Sequence, residues 1–135
     1  MLNSRETAFF TVACEKSFNK EDLCSIAKPY WAKGFLDISF NARELVSDAT
    51  HYFALFFQFN KHARDREFAE PILYEWELVG ATFRDAACSG WTVRIWLTTE
   101  YVATETESRA LWGNALDFLV DFLRDVPAEP GEQIY

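Results

Sequence analysis

Between Ser108 and Val126 the apolar positions return with the period of a helix. At about 100° per residue, Leu111, Trp112, Ala115, Leu116, Phe118, Leu119, Phe122 and Leu123 fall on one arc, with Asn114, Asp117, Asp121, Arg124 and Asp125 opposite. Thr104 and Glu107 fit a capping box, Thr106 and Ser108 being alternative caps, and Pro127 stops the helix. Two earlier segments alternate with period two. In Leu73–Arg84, Tyr74, Trp76 and Leu78 oppose Glu75 and Glu77, and Gly80 marks a bulge or bend. In Trp91–Glu100, Trp91, Val93, Ile95 and Leu97 oppose Thr92, Arg94, Trp96 and Thr98. The intervening Asp85–Gly90 segment suits an antiparallel hairpin turn.

Upstream the signals are more local. Phe9, Phe10, Thr11 and Val12 favour a strand over Glu6–Cys14. Asn19 reads as an N-cap, with Glu21 and Asp22 in the first turn and Phe18 stapled to Leu23, which predicts a helix to Lys28, before Pro29. Gly34 separates Tyr30-Trp31 from a short strand at Leu36–Phe40, and Ala42–Ser47 fits one or two helical turns. Tyr52–Phe59 is apolar at both odd and even positions, the pattern of a central strand covered on both faces. The expectation is a single α+β domain over 1–126: a mainly antiparallel sheet of four to five strands with an N-terminal helix and a long amphipathic C-terminal helix packed on it. Pro127, Pro130 and Gly131 predict a flexible tail over 127–135.

Composition adds bulk and charge to this picture. Thirteen Phe and five Trp in 135 residues predict a ring-rich interior. The net charge of −8 is uneven. Residues 100–135 contain eight acidic side chains against two basic ones, so this last segment holds most of the excess. Such a surface disfavours nucleic acid and anionic membrane as direct partners and favours a basic protein. Cys14, Cys24 and Cys88 form no paired spacing, the amino-terminal residues have no secretory pattern, and no apolar run is long enough for a membrane helix. Together these fit a cytoplasmic protein without a disulfide framework.

Reaction motifs are missing. The five glycines are dispersed, which excludes a phosphate-binding loop or dinucleotide turn, and His51, His62 and the cysteines lack metal-ligand spacing. No cofactor and no metal are expected. Cys88, in a turn, would be a nucleophile only with a histidine folded beside it, and Glu75 with Glu77 would make an acid–base pair but match plain strand surface better. Lys61, His62, Arg64 and Arg66 form a basic run that Asp65, Glu67 and Glu70 largely neutralise.

The expected function is therefore that of a non-enzymatic acidic protein that binds and neutralises a basic protein, as an immunity protein or inhibitor does. A nuclease or other nucleic-acid-handling protein is the fitting target. Its contacts would be Asp117, Asp121 and Asp125 on the last helix, with Glu100, Glu105 and Glu107 at the helix entrance. Two alternatives stand beside it. One is a small-molecule-binding or enzymatic domain with a pocket lined by Phe57, Trp76 and Trp96; the other is a subunit of an oligomer joined through an exposed aromatic strand.

Overall fold

A computed structural model describes residues 7–21, 27–84, 87–128 and 134. Among them are four strands and three helices, in the order β1 (Phe9–Lys20), β2 (Tyr30–Phe40), α1 (Arg43–Val46), α2 (Thr50–Asp65), β3 (Ile72–Phe83), β4 (Cys88–Thr99) and α3 (Glu105–Asp125). All strand pairings are antiparallel and the sheet order is β1-β2-β4-β3. This is the expected α+β class, and α3 and the β3–β4 pair form from the segments whose periodicity predicted them.

The largest departure is Tyr52–Phe59, which is not a central strand but the first half of α2. Tyr52, Leu55 and Phe59, three and four residues apart, are buried, whereas Phe53 and Phe57 are 51% and 69% exposed. An apolar run of this length has no unique period, and the helix wins because it extends through the polar residues to Asp65. Its start is stabilised by Asp48, whose Oδ1 accepts from the Thr50 backbone N–H (3.0 Å) and hydroxyl (2.8 Å).

The N-terminal helix is also revised. Asn19 and Lys20 belong to β1, where they pair with Trp31 and Tyr30, so Asn19 ends a strand instead of capping a helix. Residues 22–26 of that predicted helix lie outside the described residues. Gly34 does not interrupt β2 but lies inside it. A Cβ there would overlap the Glu15 carbonyl oxygen and come 2.6 Å from the Trp112 ring, so the missing side chain lets the indole rest on the sheet. The hairpin turn is also shorter, because Cys88, Ser89 and Gly90 already pair with Phe83, Thr82 and Ala81.

Helices α2 and α3 cover one face of the sheet. Trp112 donates from Nε1 to the Leu97 carbonyl (3.0 Å), and Tyr74 donates its hydroxyl proton to the Ala115 carbonyl (2.6 Å). Phe59 touches Tyr74, Trp76, Phe118 and Phe122, joining both helices to β3 in one aromatic cluster. Thr104 caps α3, its hydroxyl accepting from the Glu107 N–H (3.1 Å). Beyond α3, Pro127 bridges to Thr7, and the Ile134 N–H donates to Asn41 (3.2 Å).

The central strands β2 and β4 pair only from Lys33↔Thr98 to Ile38↔Val93. Where they part, Tyr52 fills the gap: its hydroxyl accepts from the Phe40 N–H (3.2 Å) and donates to the Trp91 carbonyl. The short α1 lies against both strands here, and Gly90 lets the Val46 backbone approach.

Candidate functional site

The face of the sheet opposite the helices is built around Asp37 and Arg94, which are opposite each other in β2 and β4. Arg94 donates from two nitrogens to the two Asp37 oxygens, each at 2.8 Å, and its guanidinium lies 4.0 Å from the centre of the Phe35 ring. Asp37 is only 7% exposed, so the bidentate pair satisfies a carboxylate that would otherwise be costly to bury. The Asp37 carboxylate holds the Arg94 guanidinium still more firmly protonated. Sequence alternation places both residues on the outward rows of their strands, but only the β2–β4 register makes them partners.

The predicted pocket trio is divided by the same sheet. Trp96 is on this outward face, packed on Phe35 (ring centres 5.0 Å apart), with Lys33 Nζ 4.9 Å from its ring and its Nε1 donating to Glu77 (3.3 Å). Trp76 is on the helix side and lines a cavity of about 300 Å³ with Tyr52, Phe53, Phe56, Leu78 and Val93. Phe57 does not line it, because the helical turn that brings Phe53 and Phe56 to the cavity leaves Phe57 in solvent. So one of the three expected pocket residues lines the cavity. Tyr52 and the Phe53–Phe56 pair escaped notice because their segment read as a strand.

The expected acidic contacts are all exposed, yet they form two separate groups. Glu105 and Glu107 occupy the first turn of α3, where negative charge favours the helix dipole, and Glu105 is paired with Arg109 at 2.9 Å. Glu100 follows β4 and donates its backbone N–H to the Pro71 carbonyl (3.0 Å). Asp117, Asp121 and Asp125 make a stripe at four-residue spacing further along α3, and Asp125 is about 30 Å of helix axis from Glu105. Asp121 has Arg124 at 3.6 Å.

Asp117 and Asp121 do have company that the sequence reading placed elsewhere. They line an open groove of about 480 Å³ with Glu67 and Glu70 from the α2–β3 connection, and Arg66 is the one cation among the described lining residues. Phe68, stacked on Phe118 at 4.2 Å, fixes that connection to α3, and Glu67 takes φ 53° to make the turn. The basic run from Lys61 is thereby explained: Lys61, His62 and Arg64 sit in the last turns of α2, where cations favour the dipole, leaving Glu67 and Glu70 free to face α3.

The remaining candidates are dispersed. His51 and His62 share α2; His51 packs on Phe40, and His62 lies 5.2 Å from the rings of both Phe118 and Phe122. Cys88 is in β4, not in a turn. Cys14, on β1, has its thiol pushed up by burial, which disfavours the reactive thiolate. Glu75 and Glu77 stand together on the outward face of β3, both exposed. Among the described residues no three His, Cys, Asp or Glu are grouped to hold a metal ion, and no helix is long and apolar enough to cross a membrane. Compared with known proteins, the chain matches no family model, no curated protein sequence and no solved structure.

Proposed function

We propose that this chain is a stoichiometric binding protein for a basic protein partner, docking through the acidic groove between α3 and the α2–β3 connection. The observation that carries this reading is the convergence of Asp117, Asp121, Glu67 and Glu70, from two elements, around one open groove. Fixed carboxylates on a rigid frame attract a cationic cleft over a Debye length, roughly 8 Å at physiological salt, and occupy the positions that phosphate would take. Such a protein acts as an inhibitor or immunity protein in the cytoplasm, and a nuclease or another nucleic-acid-handling protein is the fitting target. The reading requires no catalytic group of its own.

The test compares the immobilised protein with its Asp117→Asn, Asp121→Asn, Glu67→Gln, Glu70→Gln variant in capture from the native cell's lysate. Retention of one basic protein in near-equimolar amount, released by salt and absent from the variant, is the expected result. Equal retention by the variant rejects the groove. A second reading, a small-molecule-binding domain, draws on the 300 Å³ apolar cavity at Trp76. It predicts that an apolar ligand quenches Trp emission and raises the melting temperature.

A further inference from the structure

The two edges of the sheet are built differently. The β1 edge is interrupted by a bulge between Thr11 and Ala13, and Lys16 and Lys20 lie along its length. Bulges and lysines are what natural sheets use to stop strands adding to an edge. The β3 edge has neither. Its pairing with β4 runs without a shift from Ile72↔Thr99 to Phe83↔Cys88, and its twelve residues contain no Lys, Arg or Pro. At about 3.3 Å per residue this is roughly 40 Å of regular strand. No second strand pairs with it among the described residues.

The side chains along that edge differ by face. Outward stand Leu73, Glu75, Glu77 and Val79, all exposed; Glu77 accepts from Trp96 Nε1 and is opposite Arg94 in β4, so Glu75 is the less engaged of the two carboxylates. On the helix side, Trp76 and Leu78 border the apolar cavity whose other wall includes the half-exposed Phe53. A strand added here would set two alternate residues opposite Glu75 and Glu77 and turn the intervening ones toward the cavity. The complementary occupant therefore alternates basic and apolar residues. A second copy of this chain fits poorly, because antiparallel pairing about Trp76 sets Glu75 against Glu77 between two chains of net charge −8.

We infer that β3 is a strand-addition site for an extended segment of the basic partner, with Lys or Arg opposite Glu75 and Glu77 and apolar side chains entering the Trp76 cavity. The inference rests on the basic-partner reading and deepens it, since the acidic groove ends at Glu70, two residues before β3, so a single partner chain can engage both. Main-chain hydrogen bonds supply affinity in such recognition, and the alternating side chains supply selectivity.

The probe is a blocked peptide of about ten residues alternating Lys and Val, a typical long-strand length. It is titrated into the full chain while backbone amide resonances are followed. The expected result is that amides of Ile72–Phe83 shift and those of Phe9–Lys20 do not. N-methylation of alternate peptide nitrogens abolishes binding, and a Glu–Val peptide does not bind. The Glu75→Lys, Glu77→Lys variant, altered only at exposed positions, weakens binding about tenfold or more. The inference is overturned by no binding, by equal binding of the N-methylated peptide, or by self-association through β3 without peptide. Shifts confined to the α3 groove and lost in its Asn/Gln variant overturn strand addition while leaving the groove reading intact. Shifts on β3 that persist in that variant support strand addition, and the groove reading then stands or falls with the lysate capture.

Discussion

The hydroxyl of Tyr52 offers the sharpest test of how this sheet is held. Tyr52→Phe removes one oxygen and leaves the ring, which is 2% exposed and packed 4.8 Å from Phe40, in place. Two backbone groups then lose their partner: the Phe40 N–H and the Trp91 C=O, which face each other across the point where β2 and β4 separate. A buried polar group left unpaired costs about 1–3 kcal/mol. With two such groups, one of them a carbonyl with a second lone pair, the expected loss is about 2–3 kcal/mol. Because the ring stays, no cavity adds to this. Urea unfolding is the assay: at a slope of about 1–3 kcal/mol/M, the midpoint falls by roughly 0.7–3 M with the slope unchanged. Amide exchange at Phe40 accelerates at the same time. A loss below about 0.5 kcal/mol would refute the argument, for water or Ser39 Oγ, 3.4 Å from the Tyr52 oxygen, would then be satisfying both groups as well as the phenol does.

Three further outcomes follow from the same reasoning. Gly34→Ala places a methyl group against the Glu15 carbonyl and the Trp112 ring, so it is expected to cost about 3 kcal/mol or prevent folding, read by thermal unfolding; a neutral result would mean that both the β1 backbone at Glu15 and the Trp112 ring give way without cost. Thr104→Ala removes the α3 cap and should cost about 1 kcal/mol, whereas Thr106→Ala, in the same turn without a capping role, should cost little. Burial pushes the phenols of Tyr52 and Tyr74 up, so above pH about 10 the unfolded chain loses protons that the folded chain keeps. Stability is therefore full below that pH and declines as pH rises through it; Tyr74→Phe should flatten the decline, and an unchanged alkaline limb would contradict the burial of that phenol.

The last helix, the β3–β4 hairpin and the turn at α1 were legible because each has one buried and one wet side, which leaves a period to read. Tyr52–Phe59 was not, since Phe53, Phe56 and Phe57 surround the buried stripe with rings and erase the contrast. The better clues were outside the run: Asp48 before it and Asn60–Asp65 after it, too long an element for a strand. The second half of β1 was hidden for the opposite reason. Glu15 to Lys20 is polar because it is an exposed edge, and Asn19 and Glu21 imitate a helix start. The site followed the same rule. Asp117 and Asp121 were found from their own helix, but Glu67 and Glu70 reached them only through the Phe68–Phe118 contact, which no local pattern encodes.

The pairing scheme also implies an order of assembly. β1 with β2, and β3 with β4, are neighbours along the chain, so each pair closes a short loop and forms early at small entropic cost. The β2–β4 seam joins segments that are separated by α1, α2 and β3, and it is sealed at one end by Tyr52 and overlaid by Trp112. Its closure is therefore the expected slow step. Substitutions at the seam should then act chiefly on the rate of folding or of unfolding according to whether the seam is closed in the transition state, and kinetic φ-values for Tyr52 and for Thr99, whose hydroxyl accepts from the Ala32 N–H of β2 (2.8 Å), would show which. The molecule is, in this sense, two hairpins joined by a single latch.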